Sequence, residues 1–144
     1  MKLFTIGYQA ATQAEVVANL KAAGVAVLVD VRAVAASRRA GFSKRLLAAS
    51  LADAGIDYLH LRALGTPATG RTAARAGRVG EMHAIYNAYL DNEPAAQTAL
   101  ADLAEIAAAR PAALLCLEAD ANACHRRLIA NRLAAARGFE VVDL

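Results

Sequence analysis

Residues 114–127 gather Cys116, Glu118, Cys124, His125 and Arg126, which include both cysteines of the chain and one of its three histidines. Thiols beside an imidazole, a carboxylate and a guanidinium suit nucleophilic or acid–base chemistry on a small molecule. Asp120 or Asn122 can cap a helix over 123–137, which would set Cys124 in the first turn. Free N–H groups and the helix dipole favour a thiolate there, and His125 and Arg126 add positive charge. Cys124 is then the expected nucleophile and should ionise below the ordinary thiol value of about 8.5. A small apolar side chain at a helix start accounts for the same residue equally well.

Cys116 lies inside the apolar run Leu114–Leu117, so it is expected to be shielded by a strand and to alkylate more slowly than Cys124, while contacting ligand at the strand end. Glu118, just beyond, needs a partner for its charge. It reads either as a general base or substrate clamp, sharing proton handling with His125, or as one half of an ion pair with Arg32, Arg38 or Arg126. Zinc takes the ligand types that Cys116, Cys124, His125 and Glu118 or His60 offer. However, the cysteines are separated by seven residues with no Cys-x-x-Cys knuckle, and two arginines stand beside them. No metal is expected on that spacing.

Further candidates lie upstream. Asp30 and Arg32 flank Val31 and share one side of a strand, as a catalytic pair or as charges that neutralise each other. Ser37-Arg38-Arg39 before Gly41 has the hydroxyl, guanidinium groups and flexible backbone of an anion-binding loop, or of a solvated basic one. Tyr8 after Gly7 is placed to cover a ligand, whereas Tyr86 and Tyr89 share a helix face and suit packing.

The elements that must position these groups follow from pattern. Strands are expected at Lys2–Ile6, Val25–Val31, Ile56–Leu61, Ala112–Leu117 and Glu140–Leu144, and helices at Thr12–Ala23, Ser43–Ala54, Glu81–Leu90, Pro94–Ala109 and Ala123–Arg137. Residues 64–80 read as an irregular, arginine-rich connection. Gly24, Gly55 and Gly138 each stand between a helix and the next strand, the punctuation of β-α-β units. The expectation is one α/β domain over residues 1–144, with three αβα layers and a mostly parallel sheet of about five strands. Its ligands should gather beyond the carboxyl ends of the strands.

Composition narrows the function classes. Hydrophobic residues make up 58% of the chain, yet no apolar run approaches the roughly 18 residues that span a bilayer. No membrane partner and a cytoplasmic location are expected, and two cysteines do not make a disulfide framework. The net charge of +3 is carried mainly by arginine. The first reading is therefore a ligand-binding or enzymatic domain for a small anionic, phosphate-bearing molecule, held by Arg32, Arg38 and Arg126. A second reading is a nucleic-acid-associated module, because Arg62, Arg71, Arg75 and Arg78 occur without an acidic residue between Leu61 and Gly80, near Arg38, Arg39 and Lys44. Against it, aromatic content is only 5%, which leaves no stacking platform. A third reading is a structural or partner-binding domain that performs no chemistry. Composition names no cofactor and no oligomeric state.

The ordered set Thr5-Ile6-Gly7-Tyr8, Asp30-Val31-Arg32, Ser37-Arg38, Gly41-Phe42-Ser43, Leu64-Gly65-Thr66-Pro67, Cys116-Leu117-Glu118 and Cys124-His125-Arg126 resembles the bacterial and archaeal family called domain of unknown function 488. The resemblance runs from residue 5 nearly to the C-terminus. It implies a small cytoplasmic α/β domain without an established activity, and it brings no confirmed catalytic residues; the motif residues are the shared candidate site. Family members commonly carry prolines where Ala35 and Ala40 stand here, so loop 33–42 lacks that source of stiffness.

Overall fold

Short, nearly continuous apolar runs buried on both faces build the centre of the sheet, and a computed structural model describes all of residues 1–144. In chain order the elements are β1 (Lys2–Gly7), α1 (Gln13–Ala22), β2 (Val27–Asp30), α2 (Lys44–Asp53), β3 (Asp57–His60), α3 (Ala68–Arg75), α4 (Val79–Asn92), α5 (Pro94–Ala109), β4 (Ala112–Cys116), α6 (Arg126–Arg137) and β5 (Glu140–Asp143). The five strands run parallel in the order β3-β2-β4-β1-β5. Phe4, Ile6, Leu28, Ala113 and Leu115 pack with Val16 and Leu20 of α1 and with Leu47 and Leu51 of α2. The opposite face carries Leu3, Val27, Val29, Leu114 and Cys116 against Met82, Tyr86, Leu103 and Ile129 of α4, α5 and α6. One α/β domain with helices on both faces is the architecture the glycine punctuation implied.

Strand order fixes where a crevice opens. Gly7 and Cys116 stand opposite each other at the carboxyl ends of β1 and β4. From β1 the chain crosses through α1 to β2 on one side, and from β4 it crosses through α6 to β5 on the other. Neighbouring parallel strands whose connections leave in opposite directions form the switch point where open α/β sheets bind ligands.

Three local expectations are corrected. The connection after β3 is not irregular: it holds a 3-10 turn at Arg62–Leu64 and then α3. Gly70 lies inside α3, where a Cβ would come 2.5 Å from the Thr66 methyl, so its small size serves close packing and does not break the helix. The last helix begins at Arg126, because Asp120 instead caps a separate 3-10 turn at Ala121–Ala123 by accepting from the Asn122 N–H. Cys124 therefore lies in an extended link before α6 and not in a helical first turn.

Candidate functional site

Beneath the crevice lies a saturated ion pair. Asp30 is fully buried and Arg32 nearly so; Arg32 donates from Nη2 to Asp30 Oδ2 at 2.7 Å and from Nε to Oδ1 at 2.9 Å. The Arg32 backbone N–H adds a bond to Oδ1, and the Tyr58 hydroxyl donates to Oδ2. The remaining terminal nitrogen of Arg32 donates to the Phe42 carbonyl at 2.7 Å and to the Tyr8 hydroxyl at 3.2 Å. Asp30 is thus fully engaged, and of its two sequence readings the structure has mutual neutralisation. Bidentate geometry and extra hydrogen bonds are what a buried pair needs to offset desolvation. The pair ties the end of β2 to Tyr8 and Phe42, whose rings stack 4.4 Å apart.

Loop 33–42 holds itself without the missing prolines. Gln13 Nε2 donates to the Gly41 carbonyl at 2.7 Å, and the Arg39 guanidinium to the Ala11 carbonyl at 2.7 Å. The Ser43 hydroxyl accepts from the Ser37 N–H and donates to the Ser37 carbonyl. Ser37 Oγ in turn accepts from the Arg39 N–H, and Arg38 is exposed. Ser37 and Arg38 were expected to bind the ligand, yet neither lines the crevice, because loop-internal bonds occupy the serine and the arginine faces solvent.

At the ends of β4 and the following link, two sulfurs meet one imidazole. His125 Nε2 lies 2.7 Å from the Val31 carbonyl, which can only accept, so Nε2 carries the proton and Nδ1 faces the sulfurs. Nδ1 is 3.6 Å from Cys116 Sγ and 3.6 Å from Cys124 Sγ. Tyr86 packs edge-on to the ring at 5.1 Å. All three residues are buried, and strand alternation brings Cys116 to this face. Burial opposes charge on Cys124, but the neighbouring Cys116 thiol and the nearby His125 and Arg126 charges outweigh that and hold its pKa well below the usual thiol value. The neighbouring Cys124, together with burial, pushes Cys116 well up. Burial lowers and the Cys124 thiolate raises the His125 pKa, and the thiolate prevails.

Glu118 and Arg126 do not form the ion pair considered from sequence. Arg126, 1% exposed, donates from Nη1 to the Glu118 carbonyl at 2.6 Å and from Nη2 to the Ala119 carbonyl at 3.4 Å, while its Nε has no partner. It holds the backbone after β4 and does not line the crevice. The Glu118 carboxyl has a buried, unpartnered Oε2, and burial first, then the Cys124 charge, pushes its pKa up. Gly7 makes room for this turn: a Cβ there would sit 1.8 Å from the Glu118 carbonyl oxygen. Gly65 does the same on the opposite wall, where a Cβ would come 2.2 Å from Ala33 Cα.

The crevice is a cavity of about 510 Å³ lined by Tyr8, Arg32, Cys116, Glu118 and His125 of the expected residues. Cys124 lies behind this wall at 1% exposure, while Cys116, at 7%, faces the cavity, so the expected order of shielding is reversed. The strand ends at Cys116 and leaves its side chain at the rim of the sheet, whereas the turn before α6 folds over Cys124. Arg71 and Arg75 of α3 also line it, as do Thr66 and Met82. Sequence reasoning placed both arginines in a basic track; their spacing of four residues was the available sign that one helix face carries them. Arg71 Nη1 donates to the Thr66 carbonyl at 2.9 Å, and Arg78 pairs with Glu81, so the track is divided between the cavity and a surface ion pair. Cys116 Sγ, Cys124 Sγ and His125 Nδ1 lie within 4.8 Å of one another, a donor set that the fold assembles despite the sequence spacing. No helix is long and apolar enough to cross a membrane.

A family model for a domain of unknown function, DUF488, matches residues 12–133. The chain belongs to that family. Of the cavity lining, all residues but Tyr8 and Gln9 lie inside the span that matches DUF488. No curated protein and no solved structure matches the chain.

Proposed function

We propose that this domain binds a small anionic, phosphate-bearing molecule in the cavity at the β1–β4 switch point and presents it to the thiol–imidazole wall. One observation carries the reading: the lining holds three arginines against one carboxylate. Arg32 is spent on Asp30, so Arg71 and Arg75 are the cations left to hold an anion. Arg71 keeps donors beyond its bond to Thr66, and planar guanidinium groups match phosphate geometry. Along the opposite wall, Cys116 is the thiol that a bound molecule meets, with Cys124 behind it as the charge reservoir. Glu118 and His125 stand where protons would be given or taken. Tyr8, held by Arg32 and stacked on Phe42, closes one side.

Calorimetric titration with inorganic phosphate and a simple phosphomonoester tests the reading. Saturable binding at one site per chain is expected. Each charge-assisted bond contributes about 1.5–3 kcal/mol, so Arg71→Ala and Arg75→Ala should each weaken binding by roughly 10–100-fold. Arg38→Ala should leave it unchanged. No saturable binding to the wild-type chain, or equal binding by the Arg71 and Arg75 variants, overturns the reading.

A further inference from the structure

We propose that Cys116, Cys124 and His125 form a three-ligand site for a zinc-class divalent ion, whose fourth position opens into the cavity. This goes beyond the anion reading and does not depend on it.

Geometry supports the site first. With Zn–S near 2.3 Å and Zn–N near 2.0–2.1 Å, tetrahedral angles put sulfur and nitrogen ligands about 3.6 Å apart. His125 Nδ1 stands 3.6 Å from each sulfur. The three donors come from two segments, the end of β4 and the link before α6, and all lie within 4.8 Å of one another. An ion drawn in by all three would bring the two sulfurs from as much as 4.8 Å apart to the roughly 3.8 Å of a tetrahedral thiolate pair.

The outer contacts agree. A metal-bound histidine commonly donates its other ring N–H to a carbonyl or carboxylate, which fixes the tautomer and the ring plane. His125 does this through Nε2 to the Val31 carbonyl at 2.7 Å, and Tyr86 holds the ring edge-on. Two thiolates neutralise a divalent charge, which answers the objection that arginines stand nearby. Arg126 moreover directs its terminal nitrogens at the Glu118 and Ala119 carbonyls. Two sulfurs and an imidazole select a soft or borderline ion over magnesium or calcium.

Placement assigns the fourth position. Cys116 and His125 line the cavity and Cys124 lies behind them, so the open side of the tetrahedron faces the arginine-lined space. Three protein ligands with an open position are the pattern of a working zinc site, where water or a substrate oxygen binds as fourth ligand. Glu118 lies outside the donor cluster and lines the same cavity, within reach of a molecule bound there.

The test strips the purified full chain with a chelator and reloads it with zinc or cobalt(II) alone. The expected results are one zinc per chain by elemental analysis and, for cobalt, thiolate-to-metal charge-transfer absorption with intense tetrahedral d–d bands. Cys116→Ser, Cys124→Ser and His125→Ala should each weaken zinc binding by more than the roughly 10–100-fold that loss of an outer contact costs. Because all three variants alter buried residues on which folding can depend, X-ray absorption on the zinc-loaded wild type provides the second arm, with two sulfurs near 2.3 Å and a nitrogen near 2.0 Å expected. A folded wild-type chain that takes up no zinc and gives no cobalt charge-transfer band, or a zinc shell without sulfur, overturns the proposal. Phosphate titration of the metal-free chain is scored separately, so failure of either proposal is read apart from the other.

Discussion

Replacing Asp30 by Asn leaves the size of the side chain almost unchanged and removes the only charge facing Arg32. Arg32 is 5% exposed, and Asp30 receives two of its side-chain donors, its backbone N–H and the Tyr58 hydroxyl. An amide can accept at only one of its two positions, so donors meet donors on the other. Breaking one half of a buried ion pair costs about 3–5 kcal/mol, against a total stability of about 5–15 kcal/mol for a domain. For a chain of this length that corresponds to a fall in Tm of roughly 10–20 °C. Thermal and urea unfolding followed by far-UV circular dichroism read the effect. The double variant Asp30→Leu, Arg32→Met removes both charges and should be less destabilised than Asp30→Asn alone, because no unpaired guanidinium remains. A loss below about 1 kcal/mol for Asp30→Asn, or a double variant worse than the single one, would refute the view of this pair as the buried pin of the site.

Burial and the bond to Asp30 push the Tyr58 pKa up from its ordinary value. A raised folded-state pKa means its contribution is fully present below about pH 10 and is lost as pH rises beyond it. Tyr58→Phe should therefore flatten the alkaline fall of the urea midpoint, and an unchanged slope between pH 9 and 11 would contradict this. Gly7→Ala drives a Cβ to 1.8 Å from the Glu118 carbonyl and should cost about 1–3 kcal/mol or more, whereas Gly80→Ala, which meets nothing within 4 Å inside α4, should stabilise by up to about 1 kcal/mol. Equal unfolding midpoints for the two variants would contradict the close approach at Gly7. In the metal-free chain, mass-resolved iodoacetamide labelling should modify Cys116 before Cys124, because Cys116 faces the cavity. The reverse order would show that ionisation outweighs access.

What was legible in the sequence was what is local. Apolar runs marked the strands, and the helix-ending glycines marked the helices, because these depend on neighbours in the chain. Cys116, Glu118 and His125, which all line the cavity, stood out as a group for the same reason, lying around one strand-to-helix connection. That Arg71 and Arg75 line the cavity was not foreseen, since only the folding of α3 brings them to it. That helix was itself hidden by Gly70, whose fit against Thr66 exists only in three dimensions. Ser37 and Arg38 do not line the cavity, and the sequence could not show this, because a hydroxyl beside arginines reads the same whether it binds an anion or closes a turn. Tyr58 carried no mark beyond its alternation with His60 on β3, yet it completes the bonding of Asp30.

Where an anion settles on the chain tests the central claim most directly. A crystal structure of the full chain with phosphate, supported by amide chemical-shift changes on titration in solution, should place the anion between Arg71 and Arg75 in the cavity beside Cys116. Shift changes should be concentrated at residues 66–75 and 116–118. Phosphate located on the Ser37–Arg39 loop, or shift changes spread over the exposed arginines with none in the cavity, would contradict the account.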